Sequence, residues 1–204
     1  YVPTNGAAVY LPRVGHHVFN GSTWVNEGLL IESEARTNLI QHSEDFSHSS
    51  WGRVNLPAPT LGVTSPTGQV DSYTLTPDTN NNQHRLDLYT TISAADHSFS
   101  VYAKANGYEG IWLRLGSLTG QFDLAAGVVY AEGGTTTANI QDVGNGWYRV
   151  SIFGTAAAND IARINVTVTG LAADFAGDGT SGIYVYGAQF EQGQVVNGTP
   201  VDAP

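Results

Sequence analysis

Seven residues have types and spacing that could do chemistry together. Arg85, Asp87 and Tyr89 alternate with Leu86 and Leu88, Tyr102 and Lys104 alternate with Val101 and Ala103, and Trp112 and Arg114 alternate with Ile111, Leu113 and Leu115. A period of two turns each run into a strand with one apolar face and one face of aromatic and charged groups. If the three runs share a sheet, its non-core face carries aromatic plates beside charged hydrogen-bonding side chains. A sugar ring needs that combination, because its C–H face stacks on Trp or Tyr while its hydroxyls take donors and acceptors. Tyr, Trp and Arg are also enriched where subunits meet. The same residues therefore suit a subunit interface, or aromatics covered by an arm or loop.

Other chemistries lack their residues. There is no cysteine, so there is no disulfide, thiolate metal site or cysteine nucleophile. Gly179-Thr180-Ser181-Gly182 is one residue short of a nucleophile elbow, and no phosphate loop or dinucleotide fingerprint occurs. His16, His17, His42, His48, His84 and His97 show no metal-ligand spacing. No motif marks two carboxylates as facing each other across a cleft, as glycoside hydrolysis requires. The expectation is a chain without catalysis. Its 8 basic and 18 acidic residues, a net charge of −10, argue against nucleic acid and against an anionic membrane surface as partners.

The elements that must hold these residues follow from composition and pattern. Only 13% of the 204 residues are charged and 24 are glycine, a composition suited to strands joined by tight turns. Beyond the three runs above, strands are expected at Gln121–Leu124, Val128–Ala131, Ala138–Val143, Trp147–Phe153, Ala162–Thr169 and Gly182–Glu191. Asn106-Gly107, Gly133-Gly134, Asn145-Gly146 and Asp178-Gly179 supply turns, with Asn145-Gly146 expected at positive φ in a primed hairpin. Tyr148 reads as core and Trp147 as packing over that hairpin. Of Ile183/Val185 and Tyr184/Tyr186 one pair must be core, and the pattern leaves open which. Short strands at this spacing read as a sandwich or a barrel. The first forty residues have no sustained period and read as an extended arm whose best strand is Gly28–Glu32. Ser43-Glu44-Asp45-Phe46 could cap one helical turn, and Pro57-Ala58-Pro59 with Pro66 mark a loop.

Gly28-Leu29-Leu30-Ile31-Glu32, Ala35-Arg36-Thr37-Asn38-Leu39-Ile40 and Ser43-Glu44-Asp45-Phe46 with Trp51 resemble a stretch of bacteriophage tail-fibre and head-spike proteins. Ser98–Lys104, Gly144–Val150 and Tyr184–Gly193 resemble later strands of the same family. The resemblance implies an all-β antiparallel sandwich of jelly-roll type, similar to carbohydrate-binding modules. An extended arm over residues 1–34 would precede a sandwich over 35–197 and a tail over 198–204. It implies a non-enzymatic virion structural protein, a head decoration, spike or fibre component, whose binding-module-like fold would also let it adhere to host or environmental glycans. The alternatives are a tail receptor-binding protein and a binding module of a secreted polysaccharide hydrolase. The family also implies a homotrimer, contacts with other virion proteins, and a structural calcium for which Glu44, Asp45 and Glu191 lie in the right regions. Gly187-Ala188 stands where such modules usually offer an Asp. Tyr1-Val2-Pro3-Thr4 resembles the tail that ends such domains, and with the absence of Met it suggests a piece of a longer polypeptide.

Overall fold

The computed structural model describes residues 13–19, 24–30, 38–168, 172–193, 195–196 and 199–200. These form β1 (Arg13–Phe19), β2 (Trp24–Leu30), β3 (Trp51–Val54), β4 (Thr60–Thr64), β5 (Val70–Leu75), β6 (Asn81–Tyr89), β7 (Ala95–Asn106), β8 (Gly110–Leu115) and β9 (Leu118–Asp123). They continue as β10 (Val128–Gly133), β11 (Thr137–Gly144), β12 (Trp147–Ala156), β13 (Ile161–Thr167), β14 (Asp174–Ala176), β15 (Gly182–Gln192), β16 (Val195–Val196) and β17 (Thr199–Pro200). A first sheet runs β10-β9-β8-β13-β6, with β14 and β3 sharing the far edge of β6. A second sheet runs β11-β12-β7-β15-β5-β4. β1 and β2 form a separate antiparallel hairpin, as do β16 and β17. The chain crosses between the two main sheets after β3, β5, β6, β7, β10, β12 and β14, which makes the fold a β-sandwich of jelly-roll type.

Alternation within each strand builds the core. Leu86 and Leu88, Ile111, Leu113 and Leu115, Phe122, and Ala162, Ile164 and Val166 point inward from the first sheet. They meet Phe99, Val101 and Ala103, Val150 and Ile152, and Ile183, Val185 and Phe190 from the second. Burying a large aliphatic or aromatic side chain is worth about 1.5–3 kcal/mol, so this double layer dominates the stability. Phe46 and Trp51 add a stacked pair to this core at 5.2 Å, and the Trp51 indole donates to the His42 carbonyl. The buried His84 ring bridges the carbonyl oxygens of Asn55 and Phe175, at 2.8 and 2.9 Å.

The longest central pairing has an interruption. β15 runs beside β7 until Tyr186, slips register at Gly187-Ala188, and resumes at Gln189. Gly187 takes the positive φ of 54° that this bulge uses. The extra residue reverses the phase, so Ile183 and Val185 are core before it and Phe190 after it. β5 pairs only with residues 183–185 of β15. Beyond the bulge, the segment at Asn38 takes over that edge. Asn38 donates to the Ala188 carbonyl and accepts from the Phe190 amide, and the Leu39 amide donates to the Phe190 carbonyl.

The strands expected from Gln83 onward are all present, with ends displaced by a few residues. Tyr148 packs on the core, Trp147 lies over the hairpin, and Tyr184 and Tyr186 face away from the core. Asn145 and Gly146 have φ of 55° and 76°, the primed turn expected. Where Pro57-Ala58-Pro59 and Pro66 were expected to mark a loop, β4 lies between them, and β3 and β5 on either side were not anticipated. The prolines sit in the connections, and β4 is almost wholly exposed, so no alternation betrays it. Ser43–Phe46 forms turns instead of a helical turn, because Asp45 Oδ1 turns back to the Ser47 amide. In the arm, β2 occupies Trp24–Leu30, while Ile31, Glu32, Ala35-Arg36-Thr37 and most of the expected tail lie outside the described residues.

Replacing Gly146 by Val forces a β-branched residue into the left-handed region. Stability should fall by about 1–2 kcal/mol, read as a lower urea midpoint. A second test is set by the turn into β15, where Asp178 accepts from the Ser181 hydroxyl and the amides of Thr180 and Ser181. These bonds, the Ser181 hydroxyl foremost, hold its carboxyl far below the ordinary 3.8. A depressed folded value means stability that is present above 3.8 and lost as pH falls through the lower folded value. The melting temperature should therefore drop below about pH 4, less steeply in Asp178→Asn.

Candidate functional site

The seven residues singled out by alternation do not share a face. β6 and β8 belong to the first sheet and β7 to the second, so Tyr102 and Lys104 lie on the opposite side of the sandwich from Arg85, Asp87, Tyr89, Trp112 and Arg114. The physical reason is the crossover after β6 and the return crossover after β7. Alternation separates core from surface within one strand, but it does not say to which sheet the strand goes.

On the outer face of the second sheet the aromatics are closed in. Tyr102, Val143, Trp147 and Tyr186 form a second buried cluster, each less than a tenth exposed. The Arg149 guanidinium lies 5.9 Å from the Tyr102 ring centre and donates to Ser100 Oγ and Gln189 Oε1 at 3.2 and 3.4 Å. Gln189 in turn donates to the Glu191 carboxylate, whose second oxygen has no protein partner. The Tyr186 hydroxyl, held protonated by burial and by the nearby Glu44 and Asp71 charges, reaches Glu44 at 3.4 Å. Lys104 Nζ donates to the Asn145 carbonyl at 2.7 Å and clamps the hairpin. Among the described residues the aromatics of this face that stay half-buried are Tyr184 and Phe153, while Tyr102, Trp147 and Tyr186 are closed in.

Glu44, Asp45 and Glu191 do not converge. Glu44 points to Tyr186, while Glu191 sits beside Gln189. Asp45 accepts from the Ser47 hydroxyl and amide and from Tyr73, bonds that lower its pKa with the Ser47 hydroxyl leading. Among the described residues no group of three or more His, Cys, Asp or Glu could hold a metal ion.

The outer face of the first sheet is built differently. Register sets two adjacent rows across it. Gln121, Trp112, Asn165 and Arg85 make one row, and Thr119, Arg114, Arg163 and Asp87 make the next. Trp112 is half-buried at the centre. The Arg114 guanidinium carbon lies 6.0 Å from its ring centre, and Arg114 Nε donates to the Gly116 carbonyl at 2.8 Å. Asp87 braces two arginines at once, its Oδ1 accepting Nε of both Arg85 and Arg163 at 3.1 Å. Arg85 Nη1 also donates to Gln83. Each guanidinium is thus anchored through Nε, and its terminal nitrogens, Arg85 Nη1 apart, stay without a protein hydrogen bond among the described residues. The indole N–H of Trp112, Asn165 Oδ1 and Thr167 Oγ1 are buried with no partner among the described residues. Tyr89 stands 74% exposed at the end of β6, a detached plate. Arg163, Asn165, Thr167 and Gln121 were not anticipated. Their signal was the alternation with Ala162, Ile164 and Val166 and with Phe122, the same rule that selected Trp112.

No family model matches the chain, and no curated protein matches it. Among solved structures it is similar to the CBM22-1 xylan-binding domain of Paenibacillus barcinonensis Xyn10C, with a TM-score of 0.44 and 10% identity, over 80% of this chain and 99% of that one. It is also similar to the CBM22-1–GH10 modules of Clostridium thermocellum endo-1,4-β-D-xylanase 10B, solved with xylohexaose, with a TM-score of 0.40 and 13% identity. That match covers 76% of this chain and 28% of the xylanase chain. Both are similarities of strand layout.

The brace at Asp87 can be tested alone. Asp87→Asn keeps the shape and removes the charge shared by two arginines. A charged hydrogen-bond acceptor of this kind is worth about 1.5–3 kcal/mol, so urea unfolding should show a loss of that order. Tyr89→Ala, on an exposed ring, should leave stability unchanged.

Proposed function

We propose that this chain is a non-catalytic adhesion module of a bacteriophage virion surface protein, holding glycans on the outer face of its first sheet. One observation carries the binding reading. Trp112 lies half-open at the centre of that face, with Gln121 and Asn165 beside it and the braced arginines in the adjoining row. A ring over Trp112 would stack its C–H face while its hydroxyls met amide and guanidinium groups already held in place. Holding donors in advance lowers the ordering cost of binding.

The virion setting rests on the resemblance of Gly28–Trp51, Ser98–Lys104, Gly144–Val150 and Tyr184–Gly193 to head-spike and tail-fibre proteins. The sugar platform itself is indifferent to what carries it. A tail receptor-binding protein, or a binding module of a secreted polysaccharide hydrolase, would use it in the same way. Immunogold labelling of intact particles separates the three, with signal on heads, on tails, or on no particle.

Trp112→Ala should lose at least about tenfold in glycan affinity, the equivalent of one hot-spot aromatic, while its melting temperature stays near the parent's. A parent protein that binds nothing on a broad glycan array would end the adhesion reading. The homotrimer belongs to the virion reading. Analytical ultracentrifugation should show three associated chains, and a monomer at high concentration would overturn that part.

A further inference from the structure

We infer that the glycan taken by the Trp112 face is acidic, with its carboxylates seated on Arg114 and Arg163. This deepens the adhesion reading and rests on it. The chain has 8 basic residues against 18 acidic ones, yet three of the 8, Arg85, Arg114 and Arg163, sit on adjoining strands of one face.

The pairing makes the point sharper. Arg114 and Arg163 are directly opposite each other on neighbouring strands. Like charges in that position destabilise a sheet. Among the described residues the only carboxylate ion-paired with an arginine of this face is Asp87, and it is shared between Arg85 and Arg163. Arg114 has no ion pair among the described residues and rests on the Gly116 carbonyl and the Trp112 ring. Asp123, at the far end of β9, is occupied by the amides of Ala125 and Ala126. Asp160, beside Gly116 at the sheet's end, accepts from the Ala157 amide.

The face therefore carries an excess of fixed positive charge with terminal guanidinium nitrogens to spare. Those nitrogens match a carboxylate in two-point geometry. The neighbouring Trp112 N–H, Asn165 Oδ1 and Thr167 Oγ1 are buried beneath this face without hydrogen-bond partners among the described residues. Asn165 is only 1% exposed, so its unmet acceptor is part of the built face and not a loose surface group. A uronic acid ring supplies what is missing, with an apolar face for the indole, hydroxyls for the amides and a carboxylate for the arginine pair.

The test compares uronate-containing oligosaccharides with the same oligosaccharides after carboxyl reduction, on an array and then by calorimetry with the intact chain. The acidic forms should bind at least about tenfold tighter than the reduced ones, and raising salt from about 0.05 to 0.5 M should weaken them. Arg114→Gln should remove most of that difference while leaving the melting temperature of the free protein equal or higher, because a like-charge pair is relieved. Reduced and acidic forms bound alike would overturn the acidic ligand and leave the adhesion reading standing. Binding of acidic forms that survives Trp112→Ala would show attraction by charge alone and overturn the site. No glycan bound in either form would end both readings.

Discussion

The backbone of β15 must be hydrogen-bonded on both edges along its length, because it lies in the middle of the second sheet and nearly all its residues are buried. An unpaired amide or carbonyl at that depth costs about as much as a lost hydrogen bond. β7 satisfies one edge, but β5 reaches only three residues of the other. The segment at Asn38 completes it, with one side chain serving as both donor and acceptor. Ser43 continues this edge by accepting from the Ala188 amide. With β15 fixed, β7 and β12 stack beside it and the first sheet has a wall to close on.

That dependence explains why the family-like residues are conspicuous: many of them hold the fold. Asn38 pins β15, while Ile40, Phe46 and Trp51 are core. Ser98–Lys104 is β7, and Gly144–Val150 is the hairpin that leads into β12. A recognisable signature here is a signature of folding. The bulge at Gly187-Ala188 gives the same lesson. Read against binding modules, it is a missing calcium ligand. In the structure it is the residue pair that reverses the phase of β15, placing Phe190 inward and Gln189 and Glu191 outward.

The parts legible in sequence are those governed by nearest neighbours. Period two found β6 to β13 and β15, and Asn145-Gly146 announced its turn. β4 stayed hidden because neither of its faces is buried. β14 stayed hidden because its three residues depend on pairing with Asn81–Gln83. The candidate site was half legible. Alternation placed Trp112, Arg114, Arg85 and Asp87 on a non-core face. It could not exclude Tyr102 and Lys104 from that face, because sheet membership is decided by crossovers between strands. Nor did it bring in Arg163, which becomes the hinge of the site only when β13 inserts between β6 and β8.

The setting of that cationic face within an acidic chain shapes how it would act. A net charge of −10 repels a polyanion that comes within about a Debye length, roughly 8 Å at physiological ionic strength, and salt screens the repulsion beyond that. The arginines of the first sheet prevail only at contact, where their terminal nitrogens meet a carboxylate directly and the indole covers a ring. Such a site gains little from long-range steering, and its encounters with an acidic polymer would be slow for its affinity. It would instead discriminate at short range, rejecting anions that do not also present a stacking face. One copy of such a site holds weakly. Presentation of many copies on one particle converts later encounters into intramolecular ones, which raises retention by orders of magnitude without any new contact. A weak and selective acid-binding face is therefore of most use on an array, the arrangement that a virion surface provides.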